Sequence, residues 1–172
     1  MDGKLYNESM MLIPMMMSLL LGVVTIALFA FAIYEIAYGS DAFALDSFTG
    51  IMLLSVAAIM LVLSAAFFMM KLRISVSYDS MTVGLFKGRV VRIEDIHSVE
   101  VESFSPMKDY FGWGLRVGRK GFGYIAAGTN KGLRINLRTG KSFFISSKRA
   151  LEFETAMNTA LKAAKRNAER EQ

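Results

Sequence analysis

The chain has 172 residues, 53% of them hydrophobic, with no cysteine and a formal net charge of +5. Disulfide frameworks, thiolate metal sites and cysteine nucleophiles are therefore excluded. The charge is uneven: 19 of the 20 Lys/Arg residues, against 10 of the 15 Asp/Glu, lie after Met70.

Residues 1–9 are polar and read as a tail. Met10 to Tyr34 then carries no charged residue, and neither does Ser47 to Met70. Both runs exceed the roughly 20 apolar residues that a helix needs to cross a hydrocarbon layer of about 30 Å. A cleaved signal peptide is a poorer fit. The leading segment holds Asp2, Lys4 and Glu8, and the apolar run far outlasts a signal core of roughly 7–15 residues. The expected division is a cytoplasmic tail over 1–9, a first transmembrane helix over 10–36, an external loop over 37–46 and a second transmembrane helix over 47–70. Basic residues near span ends favour the cytoplasmic side. Lys71 and Arg73 follow the second span at once, whereas Glu35, Asp41 and Asp46 lie between the spans with no Lys or Arg. Both termini are accordingly expected in the cytoplasm, in a multi-pass protein of the cell membrane.

Neither apolar run holds an ionisable side chain, the usual mark of an ion or proton path. Ser18, Thr25, Ser55 and Ser64 read as helix-packing groups, and Ser18 with Gly22 forms one small-xxx-small pair. Pro14 suits the first turns of a helix, where its missing N–H costs nothing. The methionines around it, Met10, Met11, Met15, Met16 and Met17, read as lipid-facing filler rather than a copper site, because no Cys or His accompanies them.

After residue 70 the period changes to two. Leu72, Ile74, Val76 and Tyr78 alternate with polar residues, and Met81, Val83 and Leu85 resume the pattern after an Asp79-Ser80 turn. Lys87-Gly88 marks another turn. Arg89 to Ile93 and Ile96 to Phe104 read as strands. Gly112 to Val117 and Phe122 to Ala127 are glycine-rich strand candidates. Leu133, Ile135 and Leu137 alternate again, and Thr139-Gly140 turns the chain into Ser142 to Ser146. The last segment, expected as a helix over 148–167, places Leu151, Phe153, Met157, Ala160, Leu161 and Ala164 on one apolar stripe. Ser147 is its expected N-cap.

Arg-Ile-Glu-Asp-Ile-His-Ser-Val-Glu-Val from Arg92 resembles the strand-turn-strand of prokaryotic pleckstrin-homology-like (PH-like) domains. Phe111-Gly112-Trp113-Gly114-Leu115-Arg116 is similar to their glycine-tryptophan-glycine segment. Leu133 to Ser146, followed by a helix, looks like their closing hairpin. The resemblance covers about residues 72–166. It implies an α+β membrane protein in which a two-helix transmembrane hairpin precedes a PH-like seven-stranded antiparallel β-barrel or sandwich over 71–172, capped by a C-terminal α-helix. Many such proteins pair this domain with two transmembrane helices, and the family is largely without assigned activity.

Catalytic candidates are sparse. His97 is the sole histidine, and Glu94 with Asp95 reads as a solvated turn. Gly112, Gly114 and Gly118 lack the spacing and the following helix of a phosphate loop. Asn7-Glu8-Ser9 matches a glycosylation acceptor but is expected on the cytoplasmic side. No catalytic, cofactor or metal residue is expected, and the protein is read as a non-enzyme. The basic and aromatic residues are the better candidates for contact with lipid or a partner: Lys71, Arg73, Phe111, Trp113, Arg116, Arg119, Lys120, Lys131 and Arg134. Each Lys or Arg near an anionic leaflet contributes about 1 kcal/mol of attraction. Expected partners are the lipid bilayer and either a protein partner or a second copy of the chain, and not nucleic acid, for which no stacking motif is present. The alternative reading is an accessory subunit of a larger membrane transporter or membrane enzyme complex.

Overall fold

The computed structural model describes residues 3–38, 47–85 and 88–170. Most of the expected loop 37–46, and Lys87 of the expected Lys87-Gly88 turn, lie outside the described residues. The chain divides into two compact units: Pro14–Met70, and a unit made of Met1–Ile13 together with Lys71–Gln172.

The first unit is a pair of helices, α1 (Met15–Tyr38) and α2 (Ser47–Met69). At about 1.5 Å per residue, 24 and 23 residues give lengths of about 35 Å each. Both are long and apolar enough to cross a membrane, and only 17% and 11% of their most apolar windows are buried. What is buried is small: Ser18, Thr25 and Ala32 on α1, and Ala57 and Ser64 on α2. These recur every seven residues, the period of a left-handed helix pair, and small residues let the two backbones approach. A Cβ on Gly22 would stand 3.9 Å from Ser64 Oγ. The Ser18/Gly22 pair is thus used inside the hairpin. Thr25 Oγ1 donates to Leu21 O at 2.8 Å, so its polarity is satisfied within its own turn.

Among the described residues the second unit holds nine strands in two sheets. The first sheet runs β1 (Lys4–Met11), β2 (Lys71–Ser77), β3 (Ser80–Gly84) and β4 (Arg89–Arg92), each antiparallel to the next. Residues 1–9, expected as a tail, therefore contribute a core strand, and the first span starts at Met15 rather than Met10. The reason lies in the alternation. Tyr6, Glu8 and Met10 point inward while Asn7, Ser9 and Met11 point outward. Met11 sits opposite Lys71, so the helix pair is an excursion between two neighbouring rungs of one ladder.

The other sheet has the order β5 (Ile96–Ser103), β8 (Lys131–Leu137), β9 (Ser142–Ser146), β7 (Gly121–Ile125) and β6 (Gly114–Gly118). β7 and β9 run parallel and the remaining neighbours antiparallel. The segment carrying the β6–β7 hairpin is a second excursion, for β5 pairs directly with β8 from Ile96↔Leu137 to Ser103↔Lys131. The expectation of a seven-stranded antiparallel barrel or sandwich is corrected in strand number, in closure and in direction: the described residues form a four-stranded and a five-stranded sheet, not a closed barrel, with one parallel pair. Set the β6–β7 hairpin aside and seven strands remain, four and three, before the last helix.

Apolar alternation builds the core from Leu72, Ile74 and Val76 of β2, Met81 and Val83 of β3, Leu133 and Ile135 of β8, and Phe143 and Ile145 of β9. The helix α4 (Ala150–Arg170) adds Phe153, Met157 and Ala160, with Phe153 stacked on Tyr6 at 5.0 Å. Leu151, expected on that stripe, is exposed, and Ala150 and Ala156 are buried in its place. On the far face of the second sheet the short helix α3 (Pro106–Tyr110) delivers Tyr110 onto Phe104, Ile125 and Phe144. Gly118 lets the hairpin close over α3, since a Cβ there would strike the Asp109 carbonyl.

Candidate functional site

The nine residues singled out above separate into three groups. Arg134 is an anchor. Its Nε and Nη2 grip Glu102 at 2.7 and 3.1 Å, Nη1 donates to Lys120 O at 2.9 Å, and Nη2 reaches the Tyr110 hydroxyl at 3.3 Å. Its guanidinium also lies 5.6 Å over the Phe144 ring. The hydrogen bonds from Arg134 hold the Glu102 carboxyl below its usual range, against the opposing effect of burial. Lys120 is held by Asp109 at 3.7 Å and donates to Ser103 O at 3.3 Å. Trp113 is half-buried against the Tyr110 cluster. These three residues brace the β6–β7 hairpin.

The outer surface of that hairpin keeps Phe111, Leu115, Val117 and Met107 exposed. Arg116 and Arg119 stand among them, also exposed, with Arg116 Nε donating to Trp113 O at 2.8 Å. Phe111 takes a left-handed backbone conformation, φ 58°, as it closes α3, which turns its ring outward. β6 is the edge of its sheet, so this apolar and basic surface also offers an unpaired backbone. Lys131 is elsewhere: it lines a depression with Lys148 and Arg149 beside the start of α4.

Lys71 and Arg73 form the third group, with neighbours that the sequence reading missed. Register places Ser9 opposite Arg73, Asn7 opposite Ser75, Arg73 opposite Gly84, and Ser75 opposite Thr82. Lys4, Asn7, Ser9, Lys71, Arg73, Ser75 and Thr82 thereby line one groove of about 500 Å³ on the outer face of the first sheet. Among the described residues no acidic side chain lines it. The signal that would have found it is the outward half of the β1 alternation, legible only once β1 is a strand.

Glu8 was also missed as a structural group. It is 7% exposed, and its Oε2 accepts from Tyr6 Oη at 2.6 Å and from Ser147 Oγ at 2.7 Å. Oε1 accepts from Lys148 N at 3.2 Å, while Ser147 Oγ accepts from Arg149 N at 3.0 Å. The carboxylate thus sits against the entry to α4, where unpaired N–H groups favour negative charge. Burial raises the Tyr6 phenol well above its usual range, and the Glu8 carboxylate adds to the shift. Among the described residues no buried side-chain nitrogen or oxygen lacks a partner, so this network is a closed structural joint. His97, Glu94 and Asp95 are all exposed, and Glu94 pairs with Arg92 at 3.0 Å. No family model, curated protein or solved structure matches the chain.

Proposed function

We propose that the protein is a non-enzymatic, multi-pass protein of the cell membrane that presents a PH-like domain to the cytoplasmic headgroup layer, for binding to an anionic membrane surface or to a protein docked there. The observation that carries this reading is the insertion of the helix pair between β1 and β2. Three residues separate β1 from α1, and one separates α2 from β2. With both helices in a bilayer, the domain is tethered at two adjacent points and cannot leave the headgroup region. Lys71, the second residue past α2, then lies beside the headgroups, where an anionic leaflet attracts positive charge over about a Debye length, about 8 Å at physiological salt. The PH-like reading draws support from the four-strand and three-strand arrangement before a C-terminal helix, with the β6–β7 hairpin as an insertion. Against a signal sequence stands β1: cleavage after an apolar leader would remove a strand from the core.

The test is extraction and protease protection of the full chain in sealed membranes. The protein is expected to resist alkaline carbonate. Protease added from the cytoplasmic side is expected to cut the exposed end of α4 while the helix pair stays protected. Release by carbonate, or cleavage of α4 only from the opposite side, would overturn the reading. The accessory-subunit alternative draws on the apolar side chains that cover the outside of both helices. A second polypeptide in fixed stoichiometry after detergent purification would favour it.

A further inference from the structure

We propose that the groove on the outer face of β1, β2 and β3 is an anion site for a phosphate group, with Lys71 and Arg73 supplying charge and Ser9, Ser75, Thr82 and Asn7 supplying neutral donors. Three observations converge there. The first is the charge balance: among the described residues, three cations and no carboxylate line a groove of about 500 Å³, a volume in the range of small-ligand sites.

The second is the absence of a counter-charge. Arg134, Lys120, Arg92 and Arg149 each pair with a carboxylate of the chain. Among the described residues Lys71 and Arg73, like most of the remaining basic side chains, have no such partner, and they stand two residues apart on the same face of β2, whereas Lys4, opposite Ser77, lies at the other end of the ladder. Like charges gathered on a rigid surface without a counter-charge repel one another, and a bound anion relieves that repulsion.

The third is donor chemistry. Phosphate has several oxygens to satisfy. An arginine fork offers paired N–H donors, ammonium groups supply point charge, and hydroxyls complete the shell. In the groove, hydroxyl residues stand across the ladder from Arg73 and from Ser75: Ser9 faces Arg73 and Thr82 faces Ser75. Gly84, the other neighbour of Arg73, adds no side chain to crowd the guanidinium. A carboxylate ligand would leave most of these donors unused.

The phosphate is either that of a lipid headgroup or a soluble one. The lipid source rests on the membrane reading above, because Lys71 is two residues past the end of α2. The soluble source does not rest on it.

The experiment uses the full chain in nanodiscs of pure phosphatidylcholine, titrated by calorimetry with inorganic pyrophosphate and, separately, with dihexanoyl phosphatidic acid. Saturable binding of at least one probe is expected. Arg73→Ala and Lys71→Ala should each weaken it about tenfold or more, in line with the loss of a charged hydrogen bond. Thr82→Val with Ser75→Ala should weaken it at unchanged net charge. Arg119→Ala removes an equal charge from the β6 surface and should leave binding within about twofold. Thermal unfolding of each variant checks that the fold is kept. Binding of the lipid analogue alone assigns a headgroup, and equal binding of both probes assigns a soluble phosphate. Absence of saturable binding to both, or equal weakening by Arg73→Ala and Arg119→Ala, overturns the site. Because the protein is already in nanodiscs, such a failure leaves the membrane reading standing. Pyrophosphate binding by a chain that carbonate extracts would sink only the membrane reading.

Discussion

The helix pair and the sheet unit bury opposite kinds of residue. In the helix pair the interior is Ser18, Thr25, Ala32, Ala57 and Ser64, while Leu20, Ile26, Ile51 and Val62 face outward. In the sheet unit the interior is Leu72, Ile74, Ile135 and Phe144, while most Lys, Arg, Asp and Glu residues face outward, Glu8 and the Arg134–Glu102 pair excepted. With the helix pair in a bilayer, as proposed, each unit matches its own solvent. Where the surroundings are as apolar as leucine, burial of leucine gains nothing and close backbone approach decides the packing. Where the surroundings are water, each buried large aliphatic residue is worth about 1.5–3 kcal/mol and decides it. One chain therefore follows two packing rules, and the change falls between Met69 and Lys71.

The sharpest way to break the comparison is to separate the units at the wrong place. A fragment of residues 71–172 has the composition of a soluble domain but lacks β1. It loses the pairing with β2, the Tyr6–Phe153 stack and the Glu8 joint. The cost is comparable to the whole stability of a small domain, about 5–15 kcal/mol. The fragment is expected to aggregate or show no cooperative unfolding by circular dichroism. A chain in which a short Asn/Gly turn replaces residues 13–70 keeps β1 and is expected to fold in water with a cooperative transition. In that soluble chain Glu8→Ala, which leaves the Tyr6 and Ser147 hydroxyls to bond each other alone at 3.1 Å and takes the acceptor from Lys148 N, should cost about 1–3 kcal/mol in denaturant unfolding. Folding of the 71–172 fragment on its own would show that β1 is not part of the unit.

A smaller effect tests the packing rule inside the helix pair. Ser64→Leu puts a large side chain where Ser64 faces Gly22 and should cost about 1–3 kcal/mol by overpacking. Val62→Leu, at a position 68% exposed, should be neutral in the same detergent unfolding assay. Equal effects of the two substitutions would remove the contrast drawn above.

The smallest expected effect is electrostatic. Glu102 is held below its usual pKa by Arg134. A depressed carboxylate adds stability above its unfolded pKa, about 4.3, and that stability is lost as pH falls through the folded value. At pH 7, Glu102→Gln in the full chain should therefore cost on the order of 1 kcal/mol. The gap between variant and parent should close as the pH drops below about 4. A gap that stays constant from pH 7 to pH 3 would mean that the pair contributes shape and not charge.

The local features of this fold were legible in the sequence. Two uncharged runs declare themselves without reference to any partner, period-two alternation marks β2, β3 and β8, and the Thr139-Gly140 turn marks the start of β9. What escaped depended on distant pairing. β1 was hidden because Met10 and Leu12 run into the first apolar stretch and because its inward set includes a carboxylate, Glu8. Its partner strand lies beyond both helices. Arg134 alternates with Leu133 and Ile135 and so reads as solvent-facing. Its face of the sheet is in fact covered by α3 and the β6–β7 hairpin, with Glu102 supplied from β5. Of the candidate surface, Arg73 and Lys71 could be named from their place after the second span, but the groove could not, since Lys4 and Ser9 reach it only through the β1–β2 ladder.

The insertion of both helices between β1 and β2 also dictates an order of events during synthesis. The amino-terminal strand leaves the ribosome first and has nothing to pair with until the second helix has followed it out and Lys71 onward has emerged. Closure of the sheet unit thus comes after both helices have been made. The finished β1–β2 ladder is in this sense a record that the whole insertion has been synthesised.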